Sequence, residues 1–421
     1  MSIFSKRSRG IRCHATGTWF YDRGNYAEAI PFFRKALSLG NSEAGLALAI
    51  CYKEGYGVKA DAERAVQIYQ SICRKSAEAM FLLGKCYEEG TGIARSESKA
   101  ITCYHKAAKK GYAPAQYTMA ECYLGGRIER PVTFETRQLA VVYLRMAARQ
   151  GYAPAQYKLG YCYENGIGIS AFPERAVRWY EKAAVQEDTE AQYRLAVCLL
   201  RGVGIERDDT EAVRLLRKAA EKGSLPAQLS LGSCYYDGRG VRQNEKEAIK
   251  WIRRAAEGGF EQAQALLGNL YRRGDCVGKD LSAAAHWFRL AAYQGDAESQ
   301  YWMGTICSSG LPGGKPDDAE ASFWFEKAAA QDHPQATYEL GIRKIYGKGT
   351  KKKPVEGVEL LRRAASTGLM GAQYVLGVCY QEGIGTRKNL SEAGKWFRMA
   401  AAQGSTAARK QIATLERQGV L

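Results

Sequence analysis

One small residue recurs down this chain in near-constant phase: Ala44, Ala79, Ala115, Ala155, Ala191, Ala227, Ala263, Ser299, Ala336, Ala372 and Ala408. Neighbours in the series stand 35 to 37 residues apart, except for an interval of 40 between Ala115 and Ala155. A period of this length is the mark of stacked copies of one supersecondary unit. Length alone would divide 421 residues into two or three globular domains. The phase replaces that division with ten full units and a terminal half-unit.

Residues 152–187, YAPAQYKLGYCYENGIGISAFPERAVRWYEKAAVQE, show what one unit is. Counting Ala155 as zero, Ala155, Leu159, Cys162 and Tyr163 fall at 0, 4, 7 and 8, one stripe of an amphipathic helix. Gly160 sits beside the stripe and admits a close neighbour. Asn165-Gly166 stops the helix, because glycine takes left-handed geometry cheaply. Gly166-Ile167-Gly168-Ile169 is a tight turn. Pro173 opens a second helix, in which Ala176, Trp179, Tyr180, Ala183 and Ala184 form another apolar stripe. Each stripe is wider than one partner can cover, so copies must stack. The expected fold is all-α, a right-handed superhelical solenoid of antiparallel helix pairs.

The segments AQYKLGYCYENGIGI with ERAVRWYEKAA, AQLSLGSCYYDGRGV with EAIKWIRRAA, and AQYVLGVCYQEGIGT with EAGKWFRMAA resemble the Sel1-like repeat, a relative of the tetratricopeptide repeat. The resemblance covers residues 41–404 as ten repeats. It implies an adaptor or scaffold whose first helices line a concave, partner-reading surface. Residues 15–40 resemble a tetratricopeptide unit instead, through Gly24, Tyr26, Ala29, Phe32 and Ala36, and are expected to cap the array. Residues 1–14 are expected as a loosely attached basic tail, and 405–421 as a C-terminal capping helix. Four extra residues in GGRIERPVTFETRQ are expected to lengthen one inter-helix loop, and SSGLPGGKPDDAE and GKGTKKKP alter two others.

Twelve cysteines raise the question of disulfides. Seven of them (Cys51, Cys86, Cys122, Cys162, Cys198, Cys234 and Cys379) occupy position 7 of a first helix. Equivalent positions in stacked helix pairs lie about 18–20 Å apart, and a disulfide needs Cα atoms within about 7 Å. These are expected as buried thiols in a reducing, cytoplasmic setting. The other five form no CxxC pair, and no metal site is expected. No apolar run reaches the roughly 18 residues of a membrane span, and the N-terminus lacks the apolar core of a secretory signal.

Net charge is +17, unevenly spread. Residues 1–40 carry +5 and 333–421 carry +9, while 296–332 carry −5. Basic ends suit an acidic segment of a partner protein, the first reading. Nucleic acid or another anionic surface is the second. No nucleic-acid fold signature accompanies the charge.

Nothing gathers the groups an enzyme needs. His14, His105, His286 and His333 are far apart, HExxH and GxSxG are absent, and the glycine turns lack the GxxxxGK[ST] order. The expectation is a non-catalytic chain without a cofactor. Trp179, Trp251, Trp287, Trp324 and Trp396 share a second-helix register expected in the core. Positions 2, 3 and 6 of the first helix point away from the core stripe. Position 2 is Tyr in Tyr117, Tyr157, Tyr193, Tyr301, Tyr338 and Tyr374. This ladder serves either recognition or packing against the adjacent unit. Positions 3 and 6 vary as a recognition surface would. The expected partner-binding residues are Lys85, Glu121, Tyr157, Lys158, Tyr161, Tyr193, Arg194, Asn269, Tyr301 and Trp302.

Overall fold

The computed structural model describes residues 3–128, 130–311 and 314–419, with side chains from residue 6 onward. Parts of the expected tail, of two altered loops and of the C-terminal cap therefore lie outside the described residues. Among the described residues there are 23 helices and no strand. The chain forms two compact units, residues 1–219 and 220–421. Each is a row of helix hairpins.

The pair α9 (Ala153–Asn165) and α10 (Pro173–Val185) typifies the hairpin. Gly166 ends α9 in left-handed geometry at φ 67°, as the Asn-Gly stop predicts. Gly168, at φ 65°, has no room for a Cβ, which would run into the Arg137 carbonyl on the preceding hairpin. Gly160 is equally constrained: a Cβ there would lie 2.7 Å from the Tyr180 ring of the pairing helix. Ala155, Leu159, Cys162 and Tyr163 are all buried, and Tyr180 is fully enclosed. The seven position-7 cysteines are buried and form no disulfide. Burial pushes Cys162 and Cys198 up to about 11, with charged neighbours as lesser influences.

Between neighbouring hairpins runs a polar clasp. Gln156 is buried, and its Nε2 donates to the Ala148 carbonyl of the preceding hairpin at 3.1 Å. Gln186, at the end of the same repeat, donates to Gln156 Oε1 at 2.8 Å. The pattern returns with Gln116 and Gln150, Gln264 and Gln294, Gln300 and Gln331, and Gln373 and Gln403. In the repeat of Gln228, position 258 is glycine, and Gln228 Oε1 is left without a partner.

Three expectations change. First, the basic segment of residues 6–12 belongs to α1 (Ile3–Tyr21) rather than to a loose tail. Gly17 of α1 faces the Phe33 ring of α2 (Tyr26–Ser38) as Gly160 faces Tyr180, with a Cβ–ring distance of 2.7 Å, and that packing holds the helix down. Second, the four extra residues are shared between loop and helix. Nine residues join α7 (Ala113–Leu124) to α8 (Phe134–Arg149) where seven join α9 to α10, and α8 has 16 residues against the usual 13 while α7 has 12. Third, Trp251 and Trp324 are buried, but Trp179, Trp287 and Trp396 are half-exposed. The residue after each (Tyr180, Phe288 and Phe397) is fully buried, so the tryptophan lies about 100° off the core direction.

Candidate functional site

First helices of adjacent hairpins present their positions 2, 3 and 6 side by side. Nine of the ten expected residues gather there in two clusters, one in each unit.

In the first unit the cluster spans α7, α9 and α11 (Thr189–Arg201). Lys158 Nζ lies 3.2 Å from Glu121 Oε1 on the preceding first helix. Arg194 approaches Glu164 Oε1 at 3.8 Å and sits 5.3 Å over the Tyr161 ring and 6.0 Å from the Tyr193 ring. Glu164 also accepts a 2.5 Å hydrogen bond from the buried Tyr180 hydroxyl. Burial works against the Arg194 charge, and Glu164 with Tyr157 outweighs it and raises the guanidinium value. Burial is also the main influence raising the Tyr157 phenol. Charges here are paired with one another across repeats.

Lys85 stands apart. It is exposed on α5 (Ala77–Glu89), with its ammonium 5.3 Å from the Phe81 ring.

In the second unit the cluster spans α15 (Glu261–Arg273), α17 (Ala297–Ser309) and α19 (Pro334–Tyr346). The Trp302 indole is half-buried. Its Nε1 donates to Glu298 Oε1 at 2.7 Å, and the Arg272 guanidinium lies 3.9 Å over its ring. Arg272 Nη2 donates to Asn269 Oδ1 at 3.2 Å. Tyr301 stacks on His333 at 4.9 Å, and His333 Nε2 is 2.9 Å from Glu298 Oε2. Burial lowers the Arg272 value, and the adjacent Arg273 adds to that. One repeat further along the row, Glu339 is half-buried with no ion pair among the described residues, and burial raises its carboxyl.

The tyrosine ladder packs as much as it displays. Tyr157 lies 6.1 Å from Tyr180, Tyr374 lies 5.8 Å from Phe397, and Tyr117 meets Tyr152 edge-on at 5.7 Å. Burial pushes Tyr117 up to about 12.

Sequence reasoning missed Glu164, Arg272, Glu298 and His333. Three of them carried a readable signal. Arg272 is three residues after Asn269, Glu164 is three after Tyr161, and Glu298 is four before Trp302, spacings that share a helix face. His333 precedes its helix, where its Nδ1 accepts from the Ala336 amide at 3.2 Å, so no helical spacing points to it.

Among the described residues no group of histidine, cysteine and carboxylate side chains could hold a metal ion. Nor is any helix long and apolar enough to cross a membrane.

Comparison with known proteins accords with this geometry. The Sel1 repeat pattern matches residues 9–41, 42–76, 77–112, 113–152, 153–188, 189–224, 225–260, 261–296, 297–333, 334–369 and 371–405. Its first match overlaps the segment expected as a tetratricopeptide-like cap. Among solved structures, the chain is similar to c5321, a protective antigen present in uropathogenic Escherichia coli strains that displays an SLR fold. Identity is 28%, 99% of this chain and 91% of that chain are covered, and the TM-score is 0.77. It is also similar to a Sel1 repeat protein from Oxalobacter formigenes, at 28% identity, covering 75% and 90%, with a TM-score of 0.54. No curated protein matches the chain.

Proposed function

We propose that this chain, which belongs to the Sel1 repeat family, is a non-catalytic adaptor or scaffold that binds a partner protein along its row of first helices, the side expected to be concave. The observation that carries this reading is Trp302. Its half-buried indole stacks 6.4 Å from the enclosed Phe288 at the edge of the core, and Arg272 over it and Glu298 at its nitrogen hold it in one pose. Tryptophan, tyrosine and arginine dominate the energetics of protein interfaces, and a ring fixed beforehand loses little entropy on binding. The paired charges around Lys158 and Arg194 give a partner a second, polar stretch to match. The basic ends favour an acidic segment in that partner, and the core thiols suit a reducing, cytoplasmic setting.

Affinity capture with the full chain, with and without nuclease and at low and moderate salt, tests the reading. A stoichiometric protein should survive both treatments and be lost with Trp302→Ala. Release of all bound material by nuclease would overturn it in favour of nucleic acid held by the basic ends, since phosphate contacts weaken steeply with salt.

A further inference from the structure

A cavity of about 320 Å³ opens in the second unit between α13 (Leu225–Asp237), α14 (Glu245–Glu257) and α15. Its floor is apolar, made by Ile252, Leu266 and Leu270. Its origin can be read from the repeat. The position of Ile252 holds an aromatic ring in seven other repeats: Phe33, Tyr69, Tyr104, Tyr180, Phe288, Phe325 and Phe397, every one of them fully enclosed.

Where Leu144 and Leu216 shorten that side chain, the facing glycine becomes Ala120 and Ala196, which returns volume. Opposite Leu361 the glycine stays, but Ile345 is buried against Gly357 and fills the space. At Ile252 neither correction occurs. Gly232 still faces it, and Tyr236, the counterpart of Ile345, lines the cavity's side and is 37% exposed rather than buried in the gap. The cavity is the place of a missing ring.

Its rim is charged. Asp237 and Asp275 stand there with Arg273, and none of the three makes an ion pair among the described residues. Two carboxylates against one guanidinium leave one negative charge on the rim of a chain whose net charge is +17. Asn269, from the Trp302 cluster, lines the same cavity.

We propose that this cavity is a side-chain socket that takes one aromatic residue of a partner segment, with a lysine or arginine beside it paired to Asp237 and Asp275. The proposal rests on the protein-binding reading above and gives the partner a local chemistry opposite to the acidic one that the basic ends suit. A volume near 300 Å³ is the low end for ligand pockets and suits one side chain better than a cofactor. The apolar floor supplies the affinity, and the rim selects the neighbour.

The test uses the full chain with isoleucine and leucine methyl groups labelled for NMR. The probe is the capped hexapeptide Ala-Ala-Phe-Lys-Ala-Ala, compared with versions carrying Ala for Phe or Glu for Lys. The Ile252 and Leu270 methyl signals should move and saturate with the Phe-Lys peptide. Saturation should need about two- to five-fold more of the Phe-Glu peptide, and the Ala-Lys peptide should leave the signals in place.

Ile252→Phe restores the ring of the other repeats. It should raise Tm by about 2–4 °C and abolish the Leu270 response. Asp237→Asn with Asp275→Asn leaves the floor intact and should erase only the preference for lysine. An unmoved Ile252 methyl, equal response to the Phe and Ala peptides, or unchanged binding by a stabilised Ile252→Phe chain would each overturn the socket. Trp302→Ala separates the two readings. If it loses the captured partner while the peptide leaves Ile252 untouched, the adaptor stands and the socket falls. If the peptide fills the socket and no protein is captured, the reverse holds.

Discussion

The clusters on the two units occupy the same helical positions and solve different problems. In the first unit, Glu121, Lys158, Glu164 and Arg194 neutralise one another across three repeats, and the buried Tyr180 hydroxyl is tied into the set. In the second, Asn269, Arg272 and Glu298 converge on one indole. The first arrangement spends its polar groups on joining repeats. The second spends them on fixing a ring at the surface. A repeat scaffold holds the backbone constant, so changing positions 3, 6 and 9 and the residue before position 0 is enough to turn a set of ion pairs into a cradle for one ring.

Five substitutions test that contrast and its surroundings. Glu164→Ala should have the largest effect on folding. It strands the fully enclosed Tyr180 hydroxyl and removes the Arg194 counter-charge, costing about 2–3 kcal/mol in urea denaturation. Tyr180→Phe in the same background should recover much of the loss, and additivity of the two would show that the lock is not a unit. Trp302→Ala should cost folding less, about 1 kcal/mol, while weakening partner binding at least about tenfold in titration calorimetry. A stability loss as large as that of Glu164→Ala would make the ring structural and erase the contrast.

Gln186→Ala leaves the buried Gln156 oxygen unpaired and should cost about 1 kcal/mol in thermal or chemical unfolding. It touches neither cluster, so partner affinity should hold. Glu339→Gln should give the smallest change. Burial raises the Glu339 value in the folded chain, so ionising it costs stability as pH climbs through that raised value. The variant should therefore be more stable than the parent at neutral pH by about 1–2 °C in Tm. The gain should vanish near pH 4, below the ordinary glutamate value of about 4.3. A pH-independent difference would show that folding does not shift the carboxyl, and a loss of stability at neutral pH would show it paired.

The hairpins, their boundaries and the buried faces were legible because periodicity reports directly on burial. Cys162 and Gly160 could be placed from spacing alone, and the structure puts both where the stripe requires. Residues whose role depends on a neighbour several repeats or one loop away were not legible. His333 reaches Glu298 across 35 positions, and no local pattern encodes that distance. The half-exposed Trp179 was misread because a stripe of hydrophobic letters does not say which of two adjacent rings, Trp179 or Tyr180, wins the interior. The longer loop before α8 was legible but the longer helix was not, because an insertion can be divided between the two. Partner-facing roles at positions 2, 3 and 6 follow from geometry only as far as exposure.

The glutamine clasp bears on how such a chain comes to have its length. Gln156 and Gln186, the grip and its brace, belong to one repeat, and what they hold is a backbone carbonyl, which any preceding helix offers whatever its side chains. A duplicated repeat thus arrives carrying its own fastening, and a lost one takes its fastening with it. After removal of residues 153–188, Gln192 would find the Ala148 carbonyl where it now finds that of Ala184. Gene duplication can therefore lengthen or shorten the array without inventing a new join, and selection is left free to work on the letters that face outward.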